Sequence, residues 1–308
     1  MNCVTVTTAA RLHLGFLDLN GGLGRRFGSI GLAIDAFATS LALSGDSSFS
    51  AHGLERQRSA ALARRIAASL GLEPVGRLDV RKAIPAHAGL GSGTQLALAI
   101  AAAFRRRAGL APNPRSDALL LDRGARSGVG AALFERGGLV VDAGRGATDN
   151  VPPVIAHLDF PKDWRIVLAL DPNRKGVHGE AERRAFAELP IFPAASAADI
   201  CRITLMQILP GAAEGVARVQ ELVGDHFAPA QGGGRFASQA VGRAAARLQS
   251  LGARGVGQSS WGPTGFAFVA DPDEAEHIAA RVRQDRQAGV EIVVCRARDH
   301  GAAVSAEG

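Results

Sequence analysis

Three segments of the sequence carry residue types that can bind anionic substrates. The first is RLHLGFLDL, where Arg11 and His13 alternate with leucines and Asp18 follows. If it begins as a strand, Arg11 and His13 share one face and the leucines the other. We expect Arg11 to bind an anionic group, because its guanidinium fork suits phosphate and carboxylate, and His13 to make a hydrogen bond. We expect Asp18 to stabilise positive charge or to bind magnesium through water. The alternative is a surface arginine beside a hydrogen-bonded core histidine.

The second segment, PAHAGLGSGTQ, alternates glycines with small and hydroxylated residues before a long alanine-rich stretch. It lacks the lysine of a Walker loop and the spacing of a GxGxxG fingerprint. A strand, a flexible turn and a helix start would still leave unpaired backbone N–H groups that favour an anion. A tight turn that only lets the strand and helix pack is the alternative. The predicted phosphate-binding residues are Gly89, Leu90, Gly91, Ser92, Gly93, Thr94 and Gln95.

The third segment, GQSSWGPT, places a large ring among small and hydroxylated residues. Such a ring can plug a turn as part of the core, or it can form a wall for an aromatic acid. We favour the second interpretation, with the hydroxyls donating to a carboxylate or a phosphate. The predicted substrate-binding residues here are Ser259, Ser260, Trp261, Gly262 and Thr264.

A fourth segment, DPNRKGVHG, is a weaker candidate. It groups charged residues and a histidine directly after an apolar stretch. A solvated turn after a strand is favoured over a loop that contacts an anion. The residues concerned are Asp171, Arg174, Lys175 and His178.

The helices and strands that must position these segments are predicted from hydrophobic periodicity and from the glycines and prolines that interrupt it. Strand patterns cover residues 4–8, 31–34, 38–44, 76–83, 137–144, 165–171, 264–271 and 290–297, and helix patterns cover 57–70, 94–108, 115–122, 179–188, 196–224, 236–251 and 272–288. The mixture predicts an α+β or α/β protein. The proline-rich stretch 150–163 predicts a boundary between a domain of residues 1–160 and one of residues 161–308. The last ten residues are expected to fray.

Composition narrows the class of protein. The chain has 308 residues, 47% of them hydrophobic, with three scattered cysteines, so we expect a reduced cytoplasmic protein without a membrane span. A net charge of +6 and a pI near 10.1 raise the possibility of nucleic-acid binding. The arginines are spread along the chain and there is no tyrosine, so we expect no nucleic-acid partner. A small phosphorylated or carboxylated substrate requires the same positive charge.

The glycine-rich loop is similar to a known phosphate loop. PAHAGLGSGT resembles the PxxxGLGSS motif of the galactokinase, homoserine kinase, mevalonate kinase and phosphomevalonate kinase superfamily. Three further stretches resemble one branch of it, the β-ribofuranosylaminobenzene 5'-phosphate synthases of methanopterin biosynthesis. They read ARLHLGFLDLNGGLGRRFGSIGLAI, DRGARSGVGAALFERGGLVVDAG and GVGQSSWGPTGFAF. The second begins with Asp122 where the family has a glycine. The likeness covers nearly the whole chain.

This resemblance implies an α+β fold of two domains, the N-terminal one like ribosomal protein S5 and the C-terminal one ferredoxin-like. It favours Arg26 over Arg25 in the loop that follows the first segment, where solvation is the alternative for both. Arg126 and Ser127 lie in a comparable loop, and Ser127 joins the predicted substrate-binding residues. The predicted catalytic residues are thus Arg11, His13, Asp18 and Arg26.

The region in which the superfamily's kinases carry a base lacks an acid. Kinases of this superfamily commonly use an aspartate there to activate the substrate hydroxyl. This chain has Gly130, Ala131 and Ala132 at that place, and no carboxylate lies between Asp122 and Glu135. A hydroxyl nucleophile benefits from a positioned base, so the absence disfavours a kinase.

The family's reaction gives a reason for the missing base. Phosphoribosyl pyrophosphate and 4-aminobenzoate or 4-hydroxybenzoate would join through the ring carbon that bears the carboxylate. Carbon dioxide would then leave where a proton would otherwise have to be removed. We expect Mg²⁺ as the cofactor, small-molecule substrates as the partners, and a homodimer as a common state of this fold. An ATP-dependent small-molecule kinase and a non-catalytic nucleotide-binding protein are the alternatives.

Overall fold

The computed structural model describes residues 3–45, 47–124, 126–147, 151–177, 179–285 and 289–307. The strands are β1 (Cys3–Asp18), β2 (Phe27–Ser44), β3 (Phe49–Gly53), β4 (Gly76–Lys82), β5 (Leu139–Asp142), β6 (Val154–Leu158), β7 (Arg165–Leu170), β8 (Arg254–Gln258), β9 (Thr264–Val269), β10 (Glu291–Cys295) and β11 (Ala303–Glu307). The helices are α1 (Arg56–Ser69), α2 (Ser92–Arg107), α3 (Pro114–Leu120), α4 (Val129–Arg136), α5 (Gly179–Glu188), α6 (Ala194–Ile203), α7 (Glu214–Phe227), α8 (Gln239–Ser250) and α9 (Pro272–Arg283).

Within the described residues the strands form two sheets. The first has the order β11-β1-β2-β4-β3, and β5 and β6 extend it from β2. The second has four antiparallel strands in the order β10-β7-β9-β8. The chain passes from the first sheet to the second between Leu158 and Arg165. The predicted α+β class is confirmed.

Strands β1 and β2 form a long antiparallel hairpin, with register shifts between Ala9 and Ala10 and between His13 and Gly15. The sequence predicts strands at 4–8, at the start of RLHLGFLDL, around 31–34 and at 38–44, with a long loop in the middle, because glycines interrupt the pattern. Within the hairpin, glycine allows a neighbouring helix to pack closely against the strand. A methyl group at Gly31 would lie 1.9 Å from Val129 of α4. The strand therefore continues through residues that, taken alone, favour a loop.

Helix α2 lies against β1 and β2 and carries the glycine-rich loop at its start. Leu96, Ile100 and Phe104 are buried in one apolar cluster with Leu41 and Leu78 of the sheet. Small alanines on the same face let the helix approach the sheet closely. This packing fixes the direction in which the helix N-terminus points.

The structure differs from the prediction in several elements, most of them in the C-terminal half. The expected helix 196–224 is divided into α6, a π-helical segment (Thr204–Ile208) and α7, because Pro210 and Gly211 interrupt the helical hydrogen bonds. The expected frayed end is a strand, since β11 pairs with β1 from Thr7↔Ala303 to Cys3↔Glu307. Strands β3, β6 and β8 also lack a strand prediction from the sequence.

One apolar core joins the two sheets. Leu12 and Leu14 of β1 belong to the same buried cluster as Ile166 of β7 and Phe266 of β9. Helix α7 packs closely against β1 at Gly15, where an added methyl group would lie 2.6 Å from Val219 Cγ1. Strand β1 therefore runs between both halves and brings its polar residues to their junction. No helix among the described residues is both long enough and apolar enough to span a bilayer.

Candidate anion-binding active site

The glycine-rich loop enters α2 through a left-handed residue. Gly91 has φ 79° and is the N-cap, and no side chain caps the helix. The amides of Thr94 and Gln95 donate to the Gly91 carbonyl, each at 3.1 Å. The amides of Ser92 and Gly93 precede this first hydrogen-bonded turn, so they are the helix-start donors that can meet an anion.

Two of the predicted phosphate-binding residues have other partners. The backbone N–H groups of Thr94 and Gln95 are used within the helix, as above. The Gln95 side chain is buried, accepts from Thr8 Oγ1 at 2.5 Å and donates to the Gly130 carbonyl at 3.0 Å. The Gln95 side chain therefore joins β1 to α4, whereas the sequence pattern predicts a phosphate contact for this residue. Leu90 is buried, and its carbonyl accepts from the Arg11 amide at 3.1 Å.

Arginine side chains line the loop on two sides. A methyl group at Gly91 would lie 2.8 Å from Arg11 Cγ. A methyl group at Gly93 would lie 2.4 Å from Arg58 Nη2 and 3.6 Å from Arg123 Cζ. These glycines therefore let three guanidinium-bearing chains approach the start of α2. Neither Arg58 nor Arg123 is predicted from the sequence, because helix α1 shows no functional pattern and the candidates in the turn after α3 are Arg126 and Ser127.

Arg11 is buried beside the loop and donates from Nη1 to the Gly89 carbonyl at 3.1 Å. Burial lowers the pKa of its guanidinium to about 10, while the charge of Glu182 acts in the opposite direction. Arg11 is thus still charged near neutral pH. Its place supports the predicted contact with an anionic group.

His13 lies on the same face of β1 and is 4% exposed. Burial, with the charges of Arg11 and Arg126, lowers the pKa of its imidazole to about 3. The ring is therefore neutral at physiological pH and cannot act as a cationic acid there. Its Nε2 atom is buried without a hydrogen-bond partner among the described residues. That atom is the one ready to bond a polar group at the site.

Helix α5 covers the arginines from the other side. Arg126 Nη2 lies 2.6 Å from Glu182 Oε1, and the Arg126 guanidinium stacks 4.5 Å from the centroid of the Phe186 ring. Burial and the charge of Arg58 lower the pKa of Arg123, and the Glu182 charge opposes both. Arg11, Arg123 and Arg126 therefore share a field with one carboxylate. Glu182 and Phe186 are not predicted from the sequence, where their only signal is the (i, i+4) spacing on one helical face.

The segment GQSSWGPT supports the loop from behind. Ser259 Oγ donates to the Gly89 carbonyl at 2.8 Å, and Thr264 Oγ1 donates to the Ala88 carbonyl at 2.7 Å. Gly262 packs so closely that a methyl group on it would lie 2.2 Å from the Gly89 nitrogen. These residues position the loop, whereas the sequence analysis predicts that they contact the substrate.

Trp261 is 4% exposed and lies among aromatic rings. Its ring centroid is 5.3 Å from that of Phe186 and 4.5 Å from that of Phe227. It packs as part of the core, while its Nε1 is buried with no hydrogen-bond partner among the described residues. Ser260 is left-handed at φ 56°, and its carbonyl accepts from Gln258 Nε2.

The remaining predicted residues organise turns. Asp18 Oδ1 accepts from the amides of Asn20 at 2.7 Å and Gly21 at 2.9 Å. Arg26 Nε donates to the Leu19 carbonyl at 3.0 Å, and its guanidinium lies 5.3 Å from the centroid of the Phe27 ring. Both therefore stabilise the loop between β1 and β2. The structure does not place either of them beside the loop before α2.

Ser127 is held by a buried acid that the sequence analysis missed. Asp142 Oδ2 accepts from Ser127 Oγ at 3.3 Å and from the Gly128 amide at 2.9 Å, and its Oδ1 accepts from the Gly144 amide at 2.8 Å. Burial raises the pKa of Asp142 to about 6, although these donors favour the charged form. Asp142 thus fixes the turn that carries Arg126. Its only sequence signal is an acid at the end of an apolar strand.

The DPNRKGVHG turn is structural where it is described. Asp171 accepts from Ser238 Oγ at 2.5 Å and from the Asn173 amide at 2.9 Å. His178 lies outside the described residues. Among the described residues, no group of three or more His, Cys, Asp and Glu side chains could hold a metal ion.

Comparison with known proteins agrees with this architecture. The profile of the GHMP kinases N terminal domain matches residues 57–139, and that of the GHMP kinases C terminal region matches residues 219–286. The phosphomevalonate kinase of Streptococcus pneumoniae superposes with a TM-score of 0.72 at 12% identity, covering 97% of this chain and 100% of that one. Homoserine kinase from Cytophaga hutchinsonii gives 0.67 at 17% identity, covering 99% and 98%. The expected two-domain fold is confirmed.

Curated relatives identify the branch. Beta-ribofuranosylphenol 5'-phosphate synthase of Methanothermobacter thermautotrophicus is 33% identical over 96% of this chain and 97% of its own length. The protein of the same name from Archaeoglobus fulgidus is 36% identical over 70% of this chain and 74% of its own length. The chain is thus an enzyme and belongs to the β-ribofuranosylphenol 5'-phosphate synthase family, on the GHMP kinase fold.

Proposed function

We propose that this protein transfers the 5-phosphoribosyl group of phosphoribosyl pyrophosphate to a para-substituted benzoate, with release of carbon dioxide and pyrophosphate. The observation that carries the proposal is the whole-length likeness to relatives named for a ribofuranosylphenol 5'-phosphate product. Such a product has a carbon–carbon bond between the sugar and a ring that bears a hydroxyl. We therefore propose 4-hydroxybenzoate as the acceptor and keep 4-aminobenzoate as the alternative, within methanopterin biosynthesis.

The reaction balances without an external base. The ring carbon that bears the carboxylate forms a bond to C1 of the ribose, and the C1–oxygen bond breaks with its electron pair leaving on pyrophosphate. The bond from that ring carbon to the carboxylate then breaks, and its electron pair restores the aromatic ring. Carbon dioxide leaves in place of a proton. The enzyme must stabilise a developing ribosyl cation and a departing polyanion, chiefly through positioned charge.

The charges of the site suit that task. The start of α2 offers the amides of Ser92 and Gly93, with Arg58 and Arg123 against Gly93. We propose that this end of the site binds the pyrophosphate. Arg11 would hold a second anionic group, either the 5-phosphate or the benzoate carboxylate. The neutral His13 would donate to or accept from that substrate through Nε2.

The segment in which the superfamily's kinases carry a base is also consistent with the proposed reaction. Gly130, Ala131 and Ala132 are buried in α4, so no carboxylate from this turn reaches the site. Glu135 is exposed and lies in a groove beside β11, lined also by Ala302 and Val304. An ordinary kinase would need a base here. Departure of carbon dioxide removes that need.

Magnesium belongs to the proposal through the substrate. The described residues include no carboxylate or imidazole cluster that could cage an ion. Mg²⁺ usually keeps several waters and binds substrate phosphates, and bound pyrophosphate supplies such oxygens. When bound, the metal would neutralise part of the leaving-group charge. This chain's own contribution is the arginines and the helix start.

The proposal is tested by supplying each candidate substrate pair. Phosphoribosyl pyrophosphate with 4-hydroxybenzoate or with 4-aminobenzoate should release carbon dioxide and pyrophosphate in equal amounts. Phenol and aniline are the matched controls that lack the carboxylate, and neither should be ribosylated at carbon. Consumption of ATP with a small alcohol, without either release, would instead support a kinase. Binding of nucleotide without turnover of any pair would support a non-catalytic protein.

A further inference from the structure

Among the described residues, helix α5 contacts the site through side chains. None of its residues is buried, and its inward stripe of Glu182, Ala185 and Phe186 is half-buried. Phe186 packs edge-on against Phe16 and Phe227, with centroids 6.0 and 5.6 Å apart. A helix with no fully buried residue can separate from the domain without exposing a large core.

The second attachment of α5 is electrostatic. Glu182 Oε1 lies 2.6 Å from Arg126 Nη2, and the two side chains are 25% and 30% exposed. The same carboxylate acts through charge on Arg11 and on Arg123. Arg123 Nε is buried without a hydrogen-bond partner in the described part of the chain. Glu182 thus acts on three guanidinium groups, while Asp122, the other carboxylate that acts on Arg123, pairs with Arg65, so the cluster keeps excess positive charge.

We propose that the Glu182 carboxylate is a built-in competitor: in the substrate-free protein it stands where an anionic group of the substrate binds, and α5 withdraws when that group arrives. The inference rests on the proposed function only for the identity of the anion, a phosphate or pyrophosphate group. A pyrophosphate offers more charge and more acceptor oxygens than one carboxylate. At the start of α2 it can therefore satisfy Arg123 and Arg126 together, which Glu182 alone does not.

The contacts of α5 connect this exchange to the rest of the site. Arg126 both pairs with Glu182 and stacks on Phe186, so loss of the pair also loosens the ring contact. Phe186 in turn touches Trp261 at a centroid distance of 5.3 Å. Withdrawal of α5 would uncover the Trp261 ring edge. Phosphate binding would thereby open the aromatic side of the site to a benzoate.

The test uses tryptophan fluorescence. The chain has two tryptophans and no tyrosine. Trp164 packs against Phe160 and Phe268, away from α5. Trp164→Phe therefore leaves Trp261 as a single reporter beside Phe186. In that background, inorganic pyrophosphate is titrated into the parent, Glu182→Gln and Glu180→Gln proteins, the last altering an exposed acid of the same helix.

We expect Glu182→Gln to tighten pyrophosphate binding by about tenfold, since a competing charge-assisted contact is removed. Glu180→Gln should leave the affinity within about twofold, the size expected of a surface charge. Glu182→Asp, which keeps the charge on a shorter side chain, should fall between the parent and Glu182→Gln. It also serves as the readout if the glutamine variant folds poorly.

Two results would overturn the inference. One is weaker or unchanged pyrophosphate binding in Glu182→Gln. The other is an equal gain in Glu180→Gln, which would assign the effect to net charge. The proposed function fails separately, since tighter pyrophosphate binding in Glu182→Gln together with no turnover of phosphoribosyl pyrophosphate and either benzoate would keep this inference and reject the reaction.

Discussion

The backbone amide of His13 donates to Ser259 Oγ at 3.0 Å across 246 positions of the sequence. The same hydroxyl donates to the Gly89 carbonyl at 2.8 Å. One serine of the C-terminal half thus joins the first strand to the glycine-rich loop of the N-terminal half. The site is therefore a joint product of both halves of the chain.

Ser259→Ala should lower the free energy of unfolding by about 2 kcal/mol, because a buried N–H group and a buried carbonyl each lose a partner. The affinity for pyrophosphate should fall as well, since the loop loses a contact that positions it. Ser250→Ala removes an exposed hydroxyl that donates to the Arg247 carbonyl and is the control. Urea unfolding of both variants measures the difference. Equal stabilities would show that the Ser259 contacts contribute nothing.

Gly91→Ala should abolish tight pyrophosphate binding while the protein remains folded. The new methyl group would meet Arg11 Cγ at 2.8 Å, so the arginine must leave its place. Gly109→Ala is a matched control, because Gly109 is also left-handed, at φ 70°, and has nothing within 4 Å of the added carbon. Both variants bear backbone strain of about 1 kcal/mol. Only calorimetric binding of pyrophosphate should separate them. The same loss in both would assign the effect to strain.

Arg11→Ala should slow pyrophosphate release by roughly 10²-fold, the usual cost of removing a contact to transition-state charge. Glu135→Gln should change the rate little, because Glu135 is exposed beside β11. Steady-state release of pyrophosphate with a benzoate acceptor measures both. If Glu135→Gln stops turnover while Arg11→Ala has no effect, an acid–base mechanism like that of a kinase must replace the one proposed.

The His13 imidazole should make stability depend on pH. Its pKa falls from 6.5 to about 3 on folding, so the unfolded chain binds the proton more tightly. This contribution is fully present above pH 6.5 and is lost as pH falls toward 3. Between pH 7 and pH 5, His13 alone should remove about 2 kcal/mol of stability. His13→Asn, which keeps the backbone donor to Ser259, should show a smaller difference between urea titrations at these two pH values. An unchanged difference would mean that the ring titrates normally.

Removal of magnesium by a chelator should abolish activity without changing the stability of the fold. Excess chelator should abolish turnover, because pyrophosphate leaves with dense charge that magnesium neutralises. It should not change the thermal midpoint of the substrate-free protein, since the described residues contain no cluster that could hold an ion. Full activity in chelator would reject the metal requirement. A fall in the midpoint would indicate a metal that stabilises the fold.

Local sequence was sufficient for the start of α2. The order of strand, glycine loop and alanine-rich helix is encoded by neighbouring residues, and Gly91 adopts the left-handed conformation that such a turn requires. Arg11 and His13 were also found from alternation along one strand. These features depend on contacts between near neighbours. The resemblance of four segments to the family also predicted the fold, because each segment is continuous in the chain.

Tertiary structure decided which side chains meet. Arg58, Arg123 and Glu182 come from three separate elements, and no spacing in the sequence connects them. Ser259 and Thr264 looked like substrate donors, yet their hydroxyls satisfy carbonyls of a loop far away in sequence. The sequence by itself thus determined the glycine-rich turn and the face of β1. The arginine cluster, its competing carboxylate and the strand formed by the last residues depend on long-range packing, because only the folded chain brings their partners within reach.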